Sequence, residues 1–268
     1  MSPSDPGQFG GESRRHEGLQ PERAGVVAPD GSDHTLLSGV TDLSAEPTRL
    51  AAHEIRSHLS VLIGYLSMLE DGTLGALPTA ARSALGPMRA KTRAISRMVE
   101  DLLEDARFQD GRVHLSRHPA DVRMVVQETV DDASPGLSAA LELRVHVPDE
   151  PVVADVDPGR VSTIVRNLID NAIKYSPNGG VIDCTVESGA EIAVITISDQ
   201  GIGIDPEQAG QLFQRFERGR HGDRRPVQGV GLGLYIARAL ARLHGGDISV
   251  TVRQGGGSRF VVTLPLRI

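Results

Sequence analysis

The sequence predicts an α+β chain in two parts. A two-helix antiparallel hairpin, dimerising into a four-helix bundle, precedes a mixed α/β domain. Two observations predict this. Between residues 46 and 108 apolar side chains recur at alternating three- and four-residue spacings in two successive runs. Beyond Gly111 short β-rich segments alternate with helical ones. A length of 268 residues accommodates one large domain or two ordinary ones with a sizeable core.

The chain divides in order. Residues 1–45 hold seven Gly, four Pro and six Ser with no sustained period, and such a stretch cannot bury enough apolar area to offset its ordering entropy. It reads as a disordered tail. From Glu46 the pattern changes: Ile55, Leu59, Leu62, Leu66 and Leu69 form one a/d series. After Asp71-Gly72 and Pro78 a second series runs through Leu85, Met88, Thr92, Ile95, Val99, Leu102 and Ala106. Two such seams joined by a Gly/Pro connection read as a helical hairpin over 46–108. A lone hairpin buries only one narrow stripe per helix, so pairing of two copies is the expectation. Packing of the hairpin on its own C-terminal domain is the alternative. With Ala52 and Leu59 at heptad position a and Ile55 at d, His53, Glu54 and Ser57 point outward.

Over 112–268 the β-rich runs are 141–147, 181–187, 192–198, 247–252 and 259–264, and helical patterns fall near 120–132, 158–175 and 229–244. The alternation reads as an α/β or α+β domain. Residues 200–228 connect a strand to a helix, and a connection that long is usually functional, often a lid.

Composition excludes several classes. A net charge of −7 argues against broad capture of nucleic acid. Aromatics are 3% with no Trp, so the core is aliphatic. The single cysteine, Cys184, allows no internal disulfide and no multi-thiolate metal site. No apolar run approaches the roughly 18 residues of a membrane span, and the N-terminus has no apolar signal region. A cytoplasmic protein is the expectation.

Four short motifs carry the chemistry. Asn167, Asn171 and Lys174 lie at i, i+4 and i+7 on one helix face, with Leu168, Ile169, Ala172 and Ile173 opposite. Two amides and an ammonium suit a hard metal ion plus phosphate oxygens; a solvated polar face accounts for the same spacing. Asp199-Gln-Gly201-Ile-Gly203 follows an apolar strand, where a carboxylate can accept from a ligand amino group and glycines allow close backbone approach; a simple turn explains it nearly as well. Gly229-Val-Gly231-Leu-Gly233 opens a helix, and N–H groups there suit phosphate. It is neither a P-loop nor a dinucleotide fingerprint. Gly255-Gly-Gly-Ser-Arg-Phe reads as a turn into the last strand.

Together, in this order, these motifs resemble the histidine kinase family of two-component signalling over residues 46–268. Asn167–Tyr175 is similar to the family's N box, Asp199–Gly203 to its G1 box, Phe213–Phe216 to its F box, Gly229–Gly233 to its G2 box and Gly255–Gly257 to its third glycine box. The resemblance implies a Bergerat-type ATP-binding sandwich related to gyrase and Hsp90, with a mobile lid. By that likeness Asp199 reads the adenine amino group, with Gly201 and Gly203 beside it, and Asn171 ligates Mg²⁺. Asn167 and Lys174 contact metal or phosphates, and Tyr175 flanks the base. Gly229, Gly231 and Gly233 cradle phosphates, and Arg215 and Arg218 reach the γ-phosphate. His53-Glu-Ile-Arg-Ser-His-Leu59 resembles the H box, making His53 the phosphoacceptor and Glu54 its general base. His58 stands where the family usually has proline, removing a helix-bending residue.

What the resemblance implies is autophosphorylation of His53 from ATP and transfer to an aspartate on a response-regulator receiver domain. Glu54-x-x-Ser57 is similar to the pattern with which some relatives dephosphorylate their regulator. A homodimer follows, together with a protein partner supplying the signal, since neither a span nor a folded input module is visible. Two other readings stand beside it: a nucleotide-binding adaptor or pseudokinase, and a serine kinase of an anti-sigma system, whose members lack the phosphoacceptor hairpin. Glu70, Asp71, Glu100, Asp101, Glu104 and Asp105 read as solvated acidic faces.

Overall fold

A computed structural model describes the backbone of residues 38–134, 137–217, 230–253 and 256–266, with side chains from Glu54 onward, Pro206 apart. Helix α1 spans Ser38–Glu70 and α2 spans Thr79–Gln109. The first helix thus begins upstream of Glu46, inside the stretch expected to be a disordered tail; residues 1–37 lie outside the described residues. Heptad periodicity marks where a helix packs, whereas a helix can continue beyond its packed seam. Between the helices Gly72 and Gly75 adopt φ of 81° and 102°, and the Asp71 carboxylate accepts from the Thr73 amide at 2.9 Å. Pro78 precedes α2 with φ −56°, a value its ring pre-sets.

Only alternate seam positions are covered within one chain. Leu59 and Leu66 of α1 and Leu85, Val99 and Leu103 of α2 are buried, and Leu59, Val99 and Leu103 form one cluster. The intervening seam residues Ile55, Leu62, Met88, Ile95 and Leu102 remain 37–54% exposed. Among the described residues no helix is long and apolar enough to cross a membrane.

The second part is a helix layer on a five-stranded sheet. Its elements are β1 (His118–Asp121), α3 (Val122–Ala133), β2 (Leu141–His146), β3 (Val153–Val156), α4 (Pro158–Lys174), β4 (Gly180–Ser188), β5 (Ile192–Ser198), α5 (Gly233–Leu243), β6 (Asp247–Val252) and β7 (Ser258–Pro265). The sheet order is β2-β4-β5-β7-β6; β2 and β4 run parallel and the other neighbours antiparallel. Alternation decides the faces. Ile182, Cys184 and Val186 of β4, Ala193, Ile195 and Ile197 of β5, and Phe260, Val262 and Leu264 of β7 point into the helix layer and are fully or nearly fully buried. Burial pushes the Cys184 thiol up to about 12, so it stays protonated as a core residue.

Helix α4 is the centre of that layer, with α3 and α5 on either side. Val161, Ile164, Val165, Leu168, Ile169 and Ala172 are all buried at helical spacing. Its start is fixed by Pro158 and by Asp157, whose Oδ1 accepts from the Arg160 amide at 3.2 Å. His244, just past α5, ties the two helices together. Its ring accepts the Asp157 amide at 3.1 Å on Nε2 and donates to the Leu240 carbonyl at 2.8 Å from Nδ1. Burial holds its pKa below the usual histidine value.

Two elements escaped the sequence reading. β1 and β3 pair antiparallel as a separate two-stranded ribbon. Each is four residues long and β1 contains Pro119, so neither shows a legible period. Helix α5 begins at Gly233 rather than at residue 229, because Gly231 at φ 80° lies in the left-handed region and cannot belong to it.

Candidate functional site

A cavity of about 560 Å³ opens between α4, the start of α5, the turn after β5, the start of β7 and one face of α2. Helix α4 turns its apolar stripe to the sheet and its polar stripe here: Asn167, Asn171 and Lys174 all line the cavity, followed by Tyr175. Asn167 is the informative one. Its amide nitrogen is buried and lacks a hydrogen-bond partner, a donor whose desolvation is offset only by an acceptor such as a phosphate oxygen. The Lys174 ammonium lies 5.8 Å from the centre of the Tyr175 ring.

Asp199 sits at the end of β5 and is 1% exposed. One carboxylate oxygen accepts from the Gly201 amide at 2.8 Å and the Ser258 amide at 3.3 Å, and the other is bonded by the Ser258 hydroxyl. Asp199 and Gly201 stand behind the wall, while Ser258, Gly203 and Ile204 line the cavity. Ser258, a residue the sequence reading did not single out, therefore stands between the cavity and the Asp199 carboxylate. Its signal was the hydroxyl directly following the last glycine run. Gly201 packs tightly: a Cβ there would lie 2.1 Å from the Tyr175 carbonyl oxygen.

Gly231 and Gly233 line the cavity at the start of α5, where among the described residues no side chain caps the first turn. Such a helix start presents unpaired N–H groups to an anion. Gly231 also backs onto residues 216–217, where a Cβ would approach the Glu217 carbonyl oxygen to 2.6 Å. Gly229 and Arg218 lie outside the described residues. Phe213 is buried edge-on against Phe260 at 6.4 Å and under the Arg238 guanidinium at 4.7 Å.

The remaining wall comes from the hairpin, and here the acidic faces need correction. Glu104 and Asp105 are 8% and 5% exposed, buried where α2 meets the second part. Glu104 pairs with Arg160 of α4 at 2.6 Å and Asp105 with Arg215 at 2.5 Å. A helical acidic stripe reads as solvated until its tertiary partners are known. Burial, then the neighbouring Glu100, pushes the Asp101 carboxyl up to about 6. Arg215, expected on a phosphate, is instead held by Asp105 and does not line the cavity. On α1, Arg56 lines the cavity, whereas Glu54 and Ser57 are exposed and do not. His53 lies in α1, and its side chain is outside the described residues.

Among the described residues no cluster of three or more His, Cys, Asp or Glu is arranged for a metal ion. Besides the carboxylates of Glu100, Asp101, Glu104, Asp170 and Glu217, the wall offers the Lys174 ammonium to phosphate and the Asn167 and Asn171 amide oxygens to a metal ion. They fit a divalent cation carried largely by phosphates and water and touched by one amide, the habit of Mg²⁺.

Residues 48–111 match the family model described as the His Kinase A (phospho-acceptor) domain. Residues 156–268 match the one described as histidine kinase-, DNA gyrase B- and HSP90-like ATPase. The chain is 34% identical over 219 residues to the probable sensor histidine kinase TcrY of Mycobacterium tuberculosis, covering 81% of this chain and 44% of that protein. It is 29% identical over 218 residues to the sensor histidine kinase WalK of Bacillus subtilis, covering 81% and 36%. Full-length ShkA, solved in complex with AMPPNP, superposes with a TM-score of 0.61 at 26% identity, covering 82% of this chain and 45% of ShkA. The chain thus spans less than half the length of these relatives.

Proposed function

Because this chain belongs to the histidine kinases of two-component signalling, we propose that it phosphorylates its own His53 from Mg-ATP and passes the phosphoryl group to an aspartate of a response-regulator receiver domain. The observation that carries this reading is the cavity itself. One buried unpartnered amide, Asn167, stands beside Asn171, Lys174 and the uncapped start of α5. That set suits a polyphosphate. Residues 46–108 serve as the phosphoacceptor hairpin and 112–268 as the ATP-binding domain.

Within it each residue has a task. Ser258 and Asp199 form the polar end that accepts the adenine amino group, and Tyr175 flanks the base. Asn167, Lys174, Gly231 and Gly233 hold phosphate oxygens, and Asn171 supplies an amide oxygen to Mg²⁺. Bound there, the cation neutralises charge on the phosphates. A neutral imidazole nitrogen of His53 attacks the γ-phosphorus, a P–N bond forms as the bond to the β–γ bridging oxygen breaks, and ADP leaves. Glu54 accepts the proton from the other ring nitrogen. Arg56 already faces the cavity while Glu54 does not, so the hairpin and ATP-binding domain must shift before transfer.

The exposed half-seam carries a second element of the proposal. Ile55, Leu62, Met88, Ile95 and Leu102 form an apolar face that a second copy covers, making a four-helix bundle and a homodimer. Ile95→Glu is expected to convert a dimer into a monomer in sedimentation equilibrium; a monomeric unmodified chain would count against the pairing.

The activity is tested with γ-labelled ATP and Mg²⁺. Acid-labile, alkali-stable label is expected, absent in His53→Gln and retained in His58→Gln. Nucleotide binding without label would favour an adaptor that binds ATP but does not phosphorylate itself. With a labelled regulator available, the same assay reads dephosphorylation. We assign that to Ser57, and an unchanged decay rate in Ser57→Ala would remove the assignment.

A further inference from the structure

Asp105 is a buried aspartate on α2 whose one ion-pair partner among the described residues comes from the other part of the chain. One oxygen is bonded by the Arg215 guanidinium at 2.5 Å, and its other oxygen is buried without a partner. The neighbouring Glu104–Arg160 pair fixes this turn of α2 against α4. Arg215 itself lies over the Phe216 ring, 5.2 Å from its centre. Phe216 has φ 61°, a left-handed conformation that an aromatic residue adopts only under constraint. The segment is therefore held so that Leu212 and Glu217 face the cavity while Arg215 faces α2.

A carboxylate this deeply buried, with one counter-charge, loses that partner only at a large cost. A nucleoside triphosphate in the cavity offers the same guanidinium a γ-phosphate, which a diphosphate lacks. We propose that Asp105 is a specificity-determining residue that sets the discrimination between ATP and ADP by competing with the terminal phosphate for Arg215. This rests on the reading of the cavity as an ATP site, and on Arg215 lying in sequence between Leu212 and Glu217, which line that cavity, so that its guanidinium turns to a phosphate only by leaving Asp105. ATP binding must break an ion pair whose carboxylate is buried and whose guanidinium is 38% exposed, a pair that ADP binding leaves intact, so the competition lowers affinity for ATP alone. Once Arg215 is drawn away, Asp105 lacks its counter-charge at the seam between α2 and the domain. That favours separation of the two, the movement that transfer requires.

The test measures ATP and ADP dissociation constants by titration calorimetry on the full chain carrying His53→Gln, so that no turnover intervenes. Asp105→Asn is expected to raise the ratio of the ADP to the ATP dissociation constant on the order of tenfold, with the ADP value unchanged. Asp105→Asn combined with Arg215→Gln is expected to show no such rise, because the competitor's target is gone. Asp105→Ser replaces the asparagine variant if that one does not fold. An unchanged ratio, an equal change for both nucleotides, or a rise that persists without Arg215 overturns the assignment of Asp105 alone. Failure of either nucleotide to bind the parent chain overturns the ATP-site reading and this assignment with it.

Discussion

Asn171→Ala is expected to lower ATP-dependent labelling of the chain by about 100-fold or more, the scale of losing one preorganised electrostatic contact to a reacting phosphate. The fold should survive the change. Asn171 sits on the cavity stripe of α4, only partly buried, opposite the buried Leu168, Ile169 and Ala172 that hold the helix to the sheet. Alanine is also the strongest helix former. The expected signature is specific: nucleotide affinity measured in EDTA stays at the parental value, and the strengthening caused by Mg²⁺ disappears. Equal losses with and without Mg²⁺ would show that Asn171 holds nucleotide rather than metal. Wild-type labelling would remove Asn171 from the site.

Gly201→Ala is expected to act through the backbone. Its Cβ would lie 2.1 Å from the Tyr175 carbonyl oxygen and 2.8 Å from the Tyr175 carbonyl carbon, neither of which is the far end of a flexible side chain. The same carbonyl accepts the Ile202 amide at 3.0 Å, so the turn after β5 is clamped to the end of α4. Relieving the clash moves either the Asp199–Ser258 unit or Tyr175. The expected loss is about 3 kcal/mol, lowering Tm by roughly 10 °C for a domain of this size, with loss of nucleotide binding at temperatures where the chain is still folded. Gly210→Ala is the control, since a Cβ there meets nothing within 4 Å. Equal Tm values for the two variants would refute the clamp.

How far the sequence carried this protein differs from place to place. The aliphatic strands β4, β5 and β7 and the helix α4 were legible because their periods are strong and their burial is decided by the immediate neighbours in the sheet. The two short strands β1 and β3 were not, since four residues hold too little pattern and their pairing is remote in sequence. Ser258 was read as part of a turn because nothing local reveals that its hydroxyl meets a carboxylate from another strand. Arg215 was expected on a phosphate, and its ion pair with a helix more than a hundred residues earlier was invisible for the same reason.

The motifs by themselves determined the family, the order of the two parts and the polar stripe of α4 that lines the cavity, since helical and strand periods are short-range properties that a chain writes into consecutive residues. Only the tertiary structure decided which half of each heptad seam is covered within one chain, which acids of α2 are buried, and that Arg215 is turned to Asp105. Those outcomes depend on contacts between segments distant in sequence, where desolvation and the position of the partner charge set the energy.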